Sequence, residues 1–329
     1  MDIEIRRPPW QHNPAGDMRR VGIELEMNGL TLDQLAAIVS DFLGIEIHTD
    51  GRYQRVLKGD SAGDWIVELD FNLLKTMGRE ARDSGDLKDE VRKTAEELLR
   101  LVSEPLVPLE LVSPPLPLDR LPEVESLFKT LRLAGAKGTS EKASNAFGLQ
   151  FNPEIPSEDP TTLTAFLKAF LCLYPWLLKR AEINITRRLT NYIDPFPISY
   201  LRLVLSPEYW PDQAQLIDDY LKHNPTRNRA LDLLPLFKHL DEARVNRITP
   251  DPLIKARPTF HYRLPDSEID QPEWGFHQAW NDWVEVEWMA SDTERLRDCS
   301  QAFLLFLEQP LNRWLGHWEE EVDKRWLSQ

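Results

Sequence analysis

Cysteine is nearly absent. Cys172 and Cys299 are the only two in 329 residues, too few for a disulfide framework or a Cys-rich metal centre. Cys172 sits in an apolar run and is expected to be a small buried hydrophobe. Positive charge is also short: 39 Lys and Arg against 54 Asp and Glu leave a net charge of −15. That balance disfavours nucleic acid or an anionic membrane as the main partner. It leaves a small polyanion open, because a bound cation and a few local Arg can invert the field of one site. No uninterrupted apolar run is long enough for a bilayer span; the most apolar stretch, 163–178, is broken by Lys168 and Pro175. Residues 1–20 are polar and contain Pro, without the charged-then-apolar pattern of a secretory leader. The expected location is therefore the cytoplasm. Internal repeats, low-complexity tracts and the glycine spacing of a P-loop are missing too.

What is present reads as a folded globule, with 42% apolar residues and 11 Trp. Apolar residues at 3.6-residue spacing predict helices over 31–44, 87–102, 122–133, 161–180, 211–222, 230–240, 293–307 and 310–326. Thr31 is the expected N-cap of the first and Gly44 its end. Alternation predicts strands at 21–27, 65–71, 109–112, 147–152, 200–205 and 259–264. These elements do not alternate as βαβ units, and no strand is a long Val/Ile run. The expected class is α+β, with a mainly antiparallel sheet that has one polar face. Residues 134–144 (AGAKGTSEKAS) read as a flexible loop and 246–258 as a Pro-punctuated connection. Neither marks a domain boundary, so an N-terminal extension over 1–20 followed by one domain over 21–329 is expected.

The strand at 21–27 puts Ile23, Leu25 and Met27 on one face and Glu24 and Glu26 on the other, about 7 Å apart. Two carboxylates so placed can hold a hard cation. Spacing alone is not decisive, since Glu285 and Glu287 repeat it. The next strand presents Glu68 and Asp70. Glu110 follows, just before the Pro114-Pro115 stop, and Gln150 and Asn152 then share a face beside Gly148. Later segments carry the opposite sign: Arg202 in 200–205, and His261 and Arg263 in 259–264. An Arg among apolar strand residues either snorkels to an edge or grips an anion. Carboxylates early and Arg late would suit phosphoryl transfer, with Mg²⁺ held against phosphate oxygens and Arg neutralising developing charge.

Five segments, GIELEM (22–27), GDWIVELD (63–70), PLELVSPPL (108–116), FGLQFN (147–152) and FHYRLPD (260–266), resemble in order those of the amidoligase family, relatives of glutamine synthetase and glutamate–cysteine ligase. HTDGRY (48–53) is similar to a further, Asp-containing segment. The resemblance implies a glutamine-synthetase-like curved antiparallel sheet with helices on its outer face. It implies an ATP-dependent carboxylate–amine ligase that forms an amide or peptide bond through an acyl-phosphate, assisted by Mg²⁺ or Mn²⁺. Carried over by position, Glu24, Glu26 and Glu110 would be metal ligands and Glu68, Asp70 and Arg263 catalytic. Arg202, Arg263, Gln150 and Asn152 would face the nucleotide. The expected partners are a small-molecule or peptide carboxylate and an amine, not nucleic acid or membrane, and a homo-oligomer stays open. Two positions depart from the family pattern: Gln150 and Asn152 replace a His-x-His pair, and His261 stands where relatives tend to carry a carboxylate. A non-catalytic relative that binds a nucleotide, peptide or protein is the alternative these departures raise.

Overall fold

A computed structural model describes residues 4–69, 108–139, 147–181, 193–309 and 317–327. Among them, nine strands form one open sheet and every pairing is antiparallel. The strands are β1 (Arg20–Met27), β2 (Glu46–Asp50), β3 (Gln54–Lys58), β4 (Trp65–Leu69), β5 (Leu109–Val112), β6 (Leu116–Pro117), β7 (Leu149–Pro153), β8 (Leu231–Asp232) and β9 (His261–Tyr262). They run across the sheet as β2-β3-β4-β5-β1-β7-β9-β8, with β6 paired to the start of β1. The order puts β1, the expected acidic strand, near the middle.

Ten α-helices accompany the sheet among the described residues: α1 (Leu32–Leu43), α2 (Leu121–Leu133), α3 (Pro160–Arg180), α4 (Ile198–Leu205), α5 (Gln213–His223), α6 (Leu234–Leu240), α7 (Glu242–Ile248), α8 (Phe276–Ser291), α9 (Thr293–Glu308) and α10 (Trp318–Arg325). The expected start and stop of α1 are both there. Thr31 and Gln34 form a reciprocal capping box, and Gly44 closes the helix at φ +67°, where a side chain would be strained.

β1 shows why the sheet has two characters. Val21, Ile23, Leu25 and Met27 are fully buried, whereas Gly22, Glu24 and Glu26 between them are half-buried. The apolar face carries the core. Phe151 of β7 packs edge-on to Trp280 of α8 at 5.8 Å, and Tyr262 of β9 lies 5.3 Å from Trp283. Behind them α3 brings Phe166 onto Phe260 at 4.6 Å and Phe170 against Tyr262. α3 has the length and mean hydropathy, 1.4, of a membrane-crossing helix, yet 72% of that window is buried inside the protein. The N-terminal segment is tied to the same core: Trp10 stacks on Phe166, and Arg19 is bound to α8.

Three sequence expectations need correction. Residues 200–205 are helix α4, not a strand. Pro197 opens it, and Tyr200 and Val204, one turn apart, are its buried stripe. The strand expected over 259–264 narrows to His261–Tyr262. Residues 134–139, expected to be part of a flexible loop, are pinned instead: Lys137 exchanges backbone hydrogen bonds with Asn28, and Gly138 N–H donates to Asp270 Oδ1 at 2.8 Å. Gly138 fits because a Cβ there would lie 2.4 Å from the Ser267 carbonyl oxygen. The helix expected over 87–102 lies outside the described residues.

Candidate active site on the polar sheet face

Antiparallel partners put their side chains on the same face, so the register specifies what meets on the polar side. Glu26 is opposite Glu110, Glu110 opposite Glu68, and Glu68 opposite Gln54. Three carboxylates from three neighbouring strands therefore form a row about 5 Å apart. Gln54 donates to Glu68 Oε2 at 2.5 Å at the outer end. In the adjoining row Glu24 is opposite Val112 on one side and Gln150 on the other. Asp70 lies outside the described residues.

Across β1 the row turns from acid to amide. Glu26 Oε2 accepts the Gly148 N–H at 2.7 Å, and its other oxygen takes Gln150 Nε2 at 3.4 Å. Glu24 Oε1 accepts Asn152 Nδ2 at 2.8 Å and the Arg257 guanidinium at 3.5 Å. Because a carboxylate only accepts, Asn152 must direct its NH₂ at Glu24, leaving its oxygen for His261 Nδ1 at 2.6 Å. His261 is then the donor there, and its Nε2 carries the lone pair. Burial, with Arg263, Arg257 and Arg227 nearby, pushes His261 well below the ordinary imidazole range, in keeping with that neutral tautomer.

Beyond β9 the face becomes charged again. Asp232 of β8 is opposite His261 and almost wholly buried. Burial lifts its carboxyl to about 7, even though the Leu234 N–H and the guanidiniums of Arg263 and Arg227 favour the anion. Arg263 Nη1 donates to the Arg227 carbonyl, and Arg227 pairs with Asp251 at 3.0 Å. Carboxylates of the early strands thus give way across Gln150, Asn152 and His261 to a mixed end, where the Arg263 and Arg227 charges surround Asp232.

Not every sequence candidate belongs here. Arg202 stands exposed on α4, which packs on α3 and α9, so it is not on the sheet face. Arg229 is buried under Asn224 and the Pro195 carbonyl and holds a loop together. Sequence reasoning missed Arg257, Gln54 and Asp232. Arg257 had no signal, being one charge in a Pro-rich connection. Gln54 and its hairpin were announced by Asp50-Gly51, a strong turn pair whose Gly adopts φ +70°.

The family described as "Putative amidoligase enzyme" matches residues 17–285. The chain belongs to the amidoligase family. No curated protein and no solved structure gives a significant match. The matched span of this amidoligase covers every strand of the sheet and the whole acid-to-base face. It also covers Gln150, Asn152 and His261.

A divalent cation is the group the family resemblance brings with it, and the donor set can be tested for it. All the acidic donors are carboxylate oxygens, which suit a hard ion such as Mg²⁺ or Mn²⁺. Among the described residues, no three His, Cys, Asp or Glu side chains converge into a ready-made ion site. Glu26 accepts the Gly148 N–H, and Asn152 Oδ1 takes His261; each oxygen keeps a further lone pair. The chemistry of the row fits a hard cation.

Proposed function

We propose that this amidoligase is an ATP-dependent carboxylate–amine ligase whose reaction runs on the polar sheet face. The observation that carries this reading is the register: Glu68, Glu110 and Glu26 stand side by side, Glu24 reaches His261 through Asn152, and the charge of Arg263 lies near His261. In this reading Glu24, Glu26 and Glu110 would hold the cation, which would supply positive charge to the phosphates when bound. Arg263, with Arg227 beside it, attracts the transferred phosphoryl group or the acidic substrate, and the acceptor carboxylate is activated as an acyl-phosphate. ADP leaves as the acyl-phosphate forms; an amine then attacks the acyl carbon, expelling inorganic phosphate and losing a proton as the amide forms. His261 Nε2 can accept a hydrogen bond from that amine, since Nδ1 is committed as a donor; burial and the neighbouring Arg keep the ring neutral, so the proton passes on rather than staying on it. Asn152 keeps this tautomer by presenting its oxygen, and Glu24 orients Asn152 in turn. The seam thus does some of what a His-x-His pair would have done, with a different division of labour. The cytoplasm is the proposed place of action, in keeping with the ATP requirement.

The test is phosphate release from ATP in the presence of Mg²⁺ with panels of carboxylates and amines. Wild type should turn over with at least one pair, and Glu24→Ala/Glu26→Ala should lose at least a hundredfold. Equal turnover in the double variant would remove these two as ligands. The engagement of both ends of Asn152 favours a second reading, a non-catalytic nucleotide or peptide binder. That reading requires Mg²⁺-independent nucleotide binding and no turnover on any pair.

A further inference from the structure

A second pocket lies on the far side of α3 from the sheet. Phe166 and Phe170 of α3 face the core aromatics, and Lys168, two residues from each, points about 200° away around the helix. There a pocket of about 210 Å³ opens between α3, the start of α9 and the turn after α4, lined among others by Lys168, Leu205, Trp210, Leu296, Arg297 and Ser300. Lys168 is only 2% exposed. Its ammonium donates to the Ser206 carbonyl at 2.7 Å and lies 4.5 Å from the centre of the Trp210 ring. Among the described residues it forms no ion pair. Glu208, whose charge acts on this ammonium from nearby without pairing with it, is exposed and accepts from Ser206 Oγ at 2.6 Å.

Burying an ammonium is costly unless an anion accompanies it, and one carbonyl and one ring face leave that need partly unmet. Burial lowers its pKa to about 8, so near neutrality it is still mainly cationic. Arg297 adds a second positive charge at the exposed edge, while no Asp or Glu lines the pocket. In a chain of net charge −15 this is a local reversal of sign. The walls beside the two cations are a Trp ring, two Leu and Pro207.

We propose that this pocket binds a small amphipathic carboxylate. Its carboxylate pairs with Lys168 Nζ and the Arg297 guanidinium, and its apolar body lies against Trp210, Leu205 and Leu296. The site is separate from the sheet face and independent of the ligase reading. Its volume admits a ligand of roughly ten non-hydrogen atoms, the size of an arylacetate or a medium-chain fatty acid, at about 20 Å³ per atom.

Calorimetric titration of the full chain with phenylacetate, hexanoate and neutral phenylacetamide tests this. Wild type should bind at least one of the two carboxylates, and the amide at least tenfold more weakly than phenylacetate. Lys168→Met, which keeps length and removes charge, should lose at least tenfold. Arg297→Ala, at the exposed edge, should lose at least threefold and reads out the site even if Lys168→Met folds poorly. Glu24→Ala should bind as wild type does, which separates this pocket from a carboxylate held at the sheet. The proposal is overturned if neither carboxylate binds at millimolar concentration. It is equally overturned if phenylacetamide matches phenylacetate, or if folded Lys168→Met or Arg297→Ala binds like wild type.

Discussion

Glu24 and Glu26 on β1 and Glu285 and Glu287 on α8 share one sequence spacing and meet opposite surroundings. On the helix each acid has its own guanidinium. Glu287, fully buried, takes Arg19 through bonds of 2.6 and 2.9 Å, and Trp283 Nε1 adds a third at 2.8 Å. Glu285 pairs with Arg6. On the strand, Glu24 has a looser contact with Arg257, at 3.5 Å, and around Glu26 acid meets acid: Glu26 faces Glu110, and Glu110 faces Glu68. Like charges directly opposite in a sheet are unfavourable by up to about 1 kcal/mol per pair, a cost that a cation on that face would reverse. The helix pair is neutralised within the fold; under the proposed function the strand pair would be neutralised by a bound cation.

The largest expected effect separates the two in stability. Glu287→Ala leaves the Arg19 charge buried and unmatched, so unfolding by denaturant should show a loss of about 3–5 kcal/mol. The remaining folded enzyme should keep its turnover per molecule. A loss below about 1 kcal/mol would mean that Arg19 finds water and that the contrast with β1 is weaker than drawn.

Smaller is the effect of Glu24→Ala. It removes the acceptor of Asn152 Nδ2 in a half-buried place, a cost of about 1 kcal/mol, while turnover collapses. Substantial unfolding in this variant would make Glu24 a structural residue like Glu287.

A pH-dependent effect concerns the end of the face beyond the seam. The Asp232 carboxyl titrates near about 3.9 when unfolded and at about 7 when folded. Between those values the native state holds a proton that the unfolded state has released, so this group makes stability fall as pH rises through the window. Asp232→Asn keeps the acceptor for the Leu234 N–H. The wild-type-minus-variant difference in stability should therefore slope downward from pH 4 to pH 7 and level off above it. A flat difference would mean that Asp232 is ionised throughout.

The contrast also shows what the sequence could and could not reveal. β1, β5 and α1 were legible because their patterns are local: strict alternation in two, a capping box and a terminal Gly in the third. α8 was not, since Trp280, Trp283, Val284 and Val286 are buried around more than one side of it, which erases a helical stripe and leaves Glu285 and Glu287 looking strand-like. Their partners, Arg6 and Arg19, are more than 250 residues away, beyond any local pattern. The 200–205 segment misled for a related reason. Tyr-Leu-Arg-Leu-Val-Leu has strand-forming residues in alternation, but packing on α3 and α9 selects the helix. The acidic half of the site was readable as residues and their order. The bond from His261 through Asn152 to Glu24 was not, because it depends on the register of three strands.

The most direct test of the central claim, that the β1 acids hold a hard cation for ATP chemistry, is Mn²⁺ binding followed by electron paramagnetic resonance in the presence of ATP. Wild type should bind the ion, and Glu24→Ala/Glu26→Ala should bind it at least tenfold more weakly while Glu285→Gln leaves it unchanged. Equal Mn²⁺ affinity in wild type and the β1 double variant would contradict the account.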